Sequence, residues 1–186
     1  MISFTCRCKN FDLSVFINGS YGNKVYNYLS MKLTHMNSPW TNQLNAVNGR
    51  AQLVPINPNK VYEDGTMWYN DVSNVMVANP AASIPRATIN DPNDNDRISD
   101  RYIEDGSYIR LKNISLGYTF PKKTIDKLGL SNLRIYANIQ NLLTITGYDG
   151  YDPEIGASTS SVNVYGLDNG RYPSPTVYSF GLNVSF

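Results

Sequence analysis

In the final stretch of the chain, residues 176–186, apolar and small neutral residues alternate from Tyr178 to the end. Its apolar positions are Tyr178, Phe180, Leu182, Val184 and Phe186, and its other positions are Ser179, Gly181, Asn183 and Ser185. A period of two is the side-chain repeat of a β-strand, and about eleven residues cross a bilayer at a tilt. The pattern therefore predicts a spanning strand with lipid on one face and a polar lumen on the other.

Four more stretches alternate in the same way. Together the predicted strands lie near 2–8, 11–22, 108–120, 133–146 and 176–186. The connections alternate in length, with short ones at residues 9–10 and 121–131 and long loops at 23–107 and 147–175. Short turns on one side and long loops on the other are typical of outer-membrane barrels, whose short side is periplasmic. We therefore predict an all-β fold, an antiparallel transmembrane β-barrel with long extracellular loops.

This direction predicts two aromatic girdles on the lipid-facing surface. Phe11, Tyr118, Phe120 and Phe186 are expected at the periplasmic rim, and Tyr21, Tyr108 and Tyr178 at the outer rim. Arg110 and Lys112 continue the apolar positions of the third strand as charges. They are expected to face outward near the outer rim, either pairing with lipopolysaccharide phosphates or standing as solvated charges above the membrane.

The first long loop begins with helical spacing. Val25, Leu29, Leu33 and Met36 are four, four and three residues apart, which predicts an amphipathic helix ended by Pro39. The rest of the loop is rich in turn residues, but its aromatic residues argue against plain disorder. The first loop is thus expected to carry one helix and to be ordered.

Composition narrows the functional classes. Charged residues make up 17% of the chain and the net charge is +1, with no basic patch, so nucleic-acid binding is not expected. The chain contains no run of about 18 apolar residues, so no transmembrane helix is predicted. No signal-peptide pattern follows Met1. Cys6 and Cys8 are too close for an unstrained disulfide, and they provide too few ligands for a structural zinc site.

The polar motifs do not indicate catalysis. The chain has no nucleophile elbow, zinc-protease or phosphate-loop motif, so we expect no enzyme and no cofactor. His35 has no evident partner in sequence, and Ser158–Ser161 indicates a flexible loop tip. Asp91, Asn93 and Asn95 match the first ligands of a calcium loop, but Asp96 replaces its glycine and Tyr102 its final glutamate. The calcium site is therefore a weak candidate, and a turn-rich loop is the alternative.

Several sequence blocks resemble one known family. They are KNFDLSVFINGSYGNKVYN, DRISDRYIEDGSYIRLKNISLGYTFPK, LRIYANIQNLLTITGYDGYDPE and the ending YSFGLNVSF. In this order they resemble the C-terminal end of SusC/RagA-type TonB-dependent transporters of the Bacteroidetes outer membrane. The resemblance implies a plugged barrel of about 22 strands, of which this chain would form the last four to five, with the plug domain absent.

The resemblance also implies the function and the partners. Such transporters import oligosaccharides or peptides with a SusD-like surface lipoprotein, and the TonB complex drives them through regions upstream of this chain. The C-terminal strand from Tyr178 to Phe186 resembles the signal that the outer-membrane assembly machinery reads. Five loop aromatics are expected on the outer side, where they would contact substrate, dock the lipoprotein or pack the loops: Trp40, Trp68, Tyr69, Tyr148 and Tyr151. The alternative is a secreted β-sandwich that binds glycans.

Overall fold

The computed structural model describes residues 1–154 and 165–186. The serine run at 158–161 and the middle of the second predicted loop lie outside these residues. The chain divides into two compact units, one formed by Met1–Tyr26 with Ile103–Phe186 and the other by Asn27–Tyr102. In chain order the elements are β1 (Ile2–Cys8), β2 (Phe11–Ser20), β3 (Lys24–Asn27), α1 (Tyr28–Thr34), β4 (Leu53–Pro55), β5 (Val75–Val77), β6 (Ile103–Asp105), β7 (Tyr108–Thr119), α2 (Lys122–Ile125), β8 (Asn132–Thr146), β9 (Leu167–Asp168) and β10 (Val177–Ser185).

The first unit is built on a five-stranded antiparallel sheet in the order β1-β2-β7-β8-β10. We call this sheet the wall. Its register aligns apolar side chains across neighbouring strands, because a period of two places alternate residues on one face. One such row is Cys6, Leu13, Leu116, Ala137 and Phe180. The wall therefore has one apolar face and one polar face.

The apolar face of the wall is open. Phe180 is 83% exposed and Leu182 is 60% exposed, although both lie in the interior of β10. A β-sandwich would bury such a face under a second sheet. The described residues place no second sheet there, which disfavours the sandwich alternative.

A β-bulge changes the phase of β7 and corrects one prediction. Phe16 pairs with Asn113 and Ile17 pairs with Leu111, so Lys112 has no counterpart on β2. A bulge reverses the alternation beyond it. Ile109 and Leu111 consequently share the apolar face with Ile114, whereas Arg110 lies on the polar face and is 3% exposed. The expectation that Arg110 and Lys112 face lipid is wrong.

The same bulge also corrects the predicted outer girdle. Tyr108 lies two residues from Arg110, on the polar face, and is 9% exposed. At the other end of the wall the aromatic residues do meet: the Phe11 and Tyr118 ring centroids lie 4.7 Å apart, and those of Tyr118 and Phe120 lie 5.0 Å apart. Paired aromatic rings of this kind contribute about 0.5–1.5 kcal/mol beyond their burial.

The short connection between β7 and β8 is a compact helical turn. Pro121 precedes α2, a 3₁₀ turn follows at Asp126–Leu128, and Gly129 ends it in the left-handed region at φ 69°. Glycine adopts this conformation without steric cost, so the chain reverses tightly into β8. Ile125 is 1% exposed and anchors the turn.

A small sheet in the order β6-β3-β9 lies at the long-loop end of the first unit. Val25 pairs with Glu104 in this sheet and is 1% exposed. The predicted helix is therefore shorter than its sequence period suggests. It begins only at Tyr28, because Asn27 accepts a hydrogen bond from the backbone N–H of Ser30 and caps it.

The second unit contains α1, the β4–β5 hairpin and several 3₁₀ turns at Asn45–Gly49, Trp68–Asn70, Val72–Asn74 and Asp100–Tyr102. Asp71 organises one of its loops by accepting hydrogen bonds from Lys60, Tyr62 and Ser73. The hydrogen bond from Lys60, followed by those from Ser73 and Tyr62, holds the pKa of Asp71 well below its ordinary value. Among the described residues, no helix has the length and apolarity needed to cross a membrane.

Candidate functional site

The densest charged site of the first unit lies on the polar face of the wall, where a loop returns onto β7. It consists of Arg110 and Lys112 from β7 and Asp152 and Glu154 from the following loop. We call these four residues the clasp. The bulge at Lys112 creates the site, because it turns Arg110 away from the apolar face, and Asn141 on β8 adopts φ 52° at the matching position.

Arg110 is at the centre of the clasp. Its Nη2 donates to Asp152 Oδ1 at 2.5 Å, its Nη1 donates to Glu154 Oε2 at 2.7 Å, and its Nε donates to Thr144 Oγ1 at 2.8 Å. Lys112 Nζ donates to the other oxygen of Glu154. The Arg110 side chain is 4% exposed and that of Asp152 is 6% exposed. Buried charges of this kind are tolerated only when they are paired and hydrogen-bonded, as they are here.

Two neighbours complete the surroundings of Arg110. The guanidinium carbon lies 5.7 Å from the ring centroid of Tyr108, within the range of a cation–π contact. The Tyr108 hydroxyl accepts a hydrogen bond from Asn18 Nδ2 at 3.2 Å. Asn18 lies on β2, Tyr108 on β7 and Thr144 on β8, so three strands of the wall surround Arg110 as well as the loop.

Asp152 also joins two distant parts of its own loop through backbone hydrogen bonds. Its Oδ1 accepts from the backbone N–H of Glu154 at 2.9 Å, and its Oδ2 accepts from the backbone N–H of Ser174 at 3.0 Å. Burial raises the pKa of Asp152, but the hydrogen bonds from Arg110, Ser174 and Glu154 outweigh it and hold the pKa below its ordinary value. Asp152 therefore remains ionised at neutral pH and joins both ends of the loop to the wall.

A second buried contact joins the same two ends of the loop. The Tyr148 hydroxyl donates to Asp168 Oδ2 at 2.6 Å, and the two residues are 6% and 1% exposed. Asp168 Oδ1 accepts from the backbone N–H of Gly170 at 2.9 Å. Burial and the hydrogen bond to Asp168 raise the pKa of Tyr148 far above its ordinary value. Of the three roles considered for Tyr148, this geometry favours packing of the loop.

Replacing Tyr148 by Phe is expected to loosen the loop without unfolding the wall. The change leaves the buried carboxylate of Asp168 without the tyrosine hydroxyl, and a hydrogen bond to a charged group contributes about 1.5–3 kcal/mol. Hydrogen–deuterium exchange should become faster at residues 147–154 and 165–171. Tyr151→Phe is the matched control, because Tyr151 is 61% exposed. Equal exchange in the two variants would contradict this role.

A second ion pair lies on the polar face towards the short-turn end. Arg134 Nη2 and Asp12 Oδ2 are 2.6 Å apart, and the pair passes over Gly117 between their strands. A Cβ at Gly117 would collide with both side chains. At Gly181 a Cβ would likewise collide with the ring of Tyr136. These glycines are needed because larger side chains occupy the space above them.

The other four expected contact aromatics differ in exposure. Trp40 is 92% exposed, and Tyr69 and Tyr151 are 48% and 61% exposed. Trp68 is half-buried, with its ring centroid 5.7 Å from that of Tyr69 in an edge-to-face arrangement. Trp40 is thus the most available contact residue of the five, whereas Trp68 packs within its loop.

The weak calcium candidate has a different hydrogen-bond pattern from a loaded calcium loop. Asp91 accepts from the backbone N–H and the side-chain amide of Asn95, each at 2.6 Å, and from His35 Nε2 at 3.0 Å. The backbone carbonyl of Asn93 accepts from Arg97 at 3.2 Å. Burial raises the pKa of Asp91, but the hydrogen bonds from Asn95 and His35 outweigh it and lower the pKa. His35 therefore has the acidic partner that its sequence context did not reveal.

The last strand continues the apolar face to the C-terminus. Tyr178, Phe180, Leu182 and Val184 pair with Ile139, Ala137, Ile135 and Leu133 of β8. Phe186 lies beyond the end of β10 and is 93% exposed, while its backbone carbonyl accepts from the Ser131 hydroxyl at 3.2 Å. Its aromatic side chain is therefore available at the short-turn end of the wall.

Comparison with known proteins identifies close sequence relatives. The chain is 35% identical over 185 residues to TonB-dependent receptor P3 of Formosa agariphila, and 31% identical over 190 residues to TonB-dependent receptor P26 of the same organism. These alignments cover 97% and 98% of the chain. It is also 36% identical over 93 residues, 49% of the chain, to TonB-dependent receptor SusC of Bacteroides thetaiotaomicron. No protein-family model matches the chain.

Solved structures agree with the sequence relatives. A structure of the RagAB peptide transporter aligns with 96% of the chain at a TM-score of 0.62 and 19% identity, and the closed-closed state of the RagAB importer aligns at 0.61. The chain spans about 15% of the length of the curated relatives P3 and P26 and 16% of the RagAB chains. The all-β fold class, as part of an antiparallel barrel wall, is confirmed.

Proposed function

We propose that this chain forms part of the barrel wall of an outer-membrane importer of the SusC/RagA type, because two TonB-dependent receptors match it at 35% and 31% identity over 97% and 98% of its length. The observation that carries the proposal is the open apolar face shared by five antiparallel strands. In water such a face would be costly, whereas in a bilayer it is matched to the lipid chains. The apolar face then meets lipid and the polar face meets the barrel interior.

The cargo in this proposal is an oligosaccharide or a peptide. The RagAB structures are named for peptide import, and SusC is named as a TonB-dependent receptor. The clasp supports a role along the passage, because it fixes a loop to the polar face that would line the interior.

The proposed partners act at opposite ends of the wall. A SusD-like lipoprotein would dock at the long-loop side, with Trp40, Trp68, Tyr69 and Tyr151 as candidate contacts to lipoprotein or cargo. TonB would act through parts of the receptor outside this chain. The outer-membrane assembly machinery would read the apolar positions of β10 and Phe186, since these end at the short-turn rim. Lipid and lipopolysaccharide would contact the apolar face.

Uptake by a gene-deletion strain tests this function. The cargo classes to be offered are purified oligosaccharides and purified peptides that are too large for porins. Cells without the receptor should fail to grow on one of these classes, and the native gene should restore growth. Normal growth of the deletion strain on every cargo class would contradict import.

Trp40→Ala should reduce the amount of lipoprotein that co-purifies with the receptor, because Trp40 is almost fully exposed. Trp68→Ala, at a half-buried candidate contact, should reduce this amount less than Trp40→Ala does.

A further inference from the structure

The second unit holds a cluster of groups that the proposed transport does not use. His35 follows α1, and Asp91 and Asp96 belong to the loop that precedes the 3₁₀ turn at Asp100–Tyr102. One ligand atom from each of the three side chains lies within 4.8 Å of the others. We propose that these three side chains form a binding site for a divalent transition-metal ion such as Zn²⁺. This inference is independent of the proposed function.

The distances suit a metal ion with little rearrangement. His35 Nε2 and Asp91 Oδ2 are 3.0 Å apart. Two ligands at about 2.0–2.1 Å from a tetrahedral zinc lie about 3.3 Å from each other, so a small side-chain rotation is enough. Asp96 is exposed and can rotate to provide a third ligand. The fourth position then faces water, as in zinc sites with three protein ligands.

The surroundings hold the two inner ligands in place. The side chains of His35 and Asp91 are 12% and 9% exposed. Asn95 donates its backbone N–H and its side-chain amide to the Asp91 carboxylate, which is the outer-shell support that metal-binding carboxylates usually have. Asp91 itself adopts φ 27°, a conformation that non-glycine residues rarely take. The loop thus keeps the carboxylate directed at the histidine.

The donor set favours a transition metal over calcium. Calcium takes six to eight oxygen ligands, whereas imidazole nitrogen suits zinc, copper and nickel. Two carboxylates and one neutral imidazole also balance the charge of a divalent ion. Arg86 lines the same small cavity as His35 and Asp91 and brings a positive charge to it. Removing that charge should therefore strengthen binding.

Zinc titration of the native receptor, purified in detergent without a histidine tag, tests the site. Calorimetry with ZnCl₂ should detect a site that His35→Gln and Asp96→Asn each weaken by about 10-fold or more, since even outer-shell partners change metal affinity by that much. Glutamine can still donate to Asp91, so the variant keeps the structural hydrogen bond. CoCl₂ should give the visible absorption of a tetrahedral site in the wild type, and this absorption should be lost in His35→Gln.

Two further variants separate metal binding from other roles. Asp94→Asn, in the same loop but outside the cluster, should leave zinc affinity unchanged. Arg86→Gln should increase it, which no loss of structure would do. An identical zinc titration for wild type and His35→Gln would overturn the proposal. Calcium uptake that Asn93→Ala abolishes and His35→Gln leaves intact would overturn it as well and would support the calcium loop.

Discussion

Replacement of Arg110 by Met is expected to detach the loop that carries Asp152 from the wall. In this variant the carboxylate of Asp152 stays buried without its cation. The carboxylate of Glu154 keeps only Lys112. Breaking a buried ion pair by removing one partner costs about 3–5 kcal/mol, because the remaining charge is uncompensated. The effect should be local, since the backbone pairing of β7 with β2 and β8 does not depend on the Arg110 side chain.

Hydrogen–deuterium exchange of the native receptor measures this effect. Exchange should rise at residues 147–154 and 165–174 and stay unchanged in β10. The double variant Arg110→Met with Asp152→Leu should recover part of the lost protection, because replacing both partners by apolar groups avoids the unpaired charge. Arg134→Met, which removes the other ion pair of the polar face, is the matched control and should leave the loop protected. Unchanged loop exchange in Arg110→Met would show that the clasp does not hold the loop.

Acid should weaken the same clasp. The pKa of Asp152 is lowered in the folded protein, so its ionised form contributes stability above its ordinary pKa of about 4, and this stability is lost as the pH falls through the lower, folded pKa. As the pH is lowered through this range, the loop of the wild type should therefore lose protection from hydrogen–deuterium exchange. The double variant Arg110→Met with Asp152→Leu lacks this carboxylate, so its loop should lose less protection.

Replacement of Phe180 by Arg is expected to impair insertion of the wall into a bilayer. Phe180 lies near the middle of β10 on the apolar face and is 83% exposed. An arginine on the lipid face of a barrel costs about 2–4 kcal/mol at the bilayer midplane. Ser179→Arg is the matched control, because Ser179 is the adjacent residue on the polar face, opposite Asn138.

Refolding of the native receptor into lipid vesicles provides the measurement. The folded fraction, read from the mobility shift between unheated and heated samples on a gel, should fall strongly for Phe180→Arg and much less for Ser179→Arg. Equal losses in the two variants would mean that the apolar face does not meet lipid. A loss confined to Ser179→Arg would reverse the assignment of the two faces.

The strands of the wall were accessible to sequence reasoning because their physical signal is local. Alternation over seven or more residues indicates which side chains share a face, and loop length indicates how neighbouring strands connect. Five antiparallel strands are found, and relatives of the same fold confirm the class. The helix of the first loop was also expected, but its start was misplaced, because Val25 satisfies the same spacing in a strand.

The clasp could not be predicted in the same way. Asp152 and Glu154 are 42 and 44 residues from Arg110, and nothing local indicates that they meet. The sequence does contain one indication of the bulge. Arg110 and Lys112 would be costly on a lipid-facing surface, so their presence indicates a break in the alternation of β7. The partners of Tyr148 and His35 could not be predicted for the same reason, since Asp168 and Asp91 are distant in sequence.

The sequence by itself determined most of the two faces of the wall and the order of short and long connections. These two properties follow from periodicity and loop length, which need no knowledge of distant contacts, whereas the family resemblance rests on specific sequence blocks. The tertiary structure decided which charges are buried, because the bulge at Lys112 turns Arg110 onto the polar face, where loop carboxylates neutralise it. It also decided that His35 meets Asp91, since only folding of the second unit brings residues 56 positions apart to 3.0 Å.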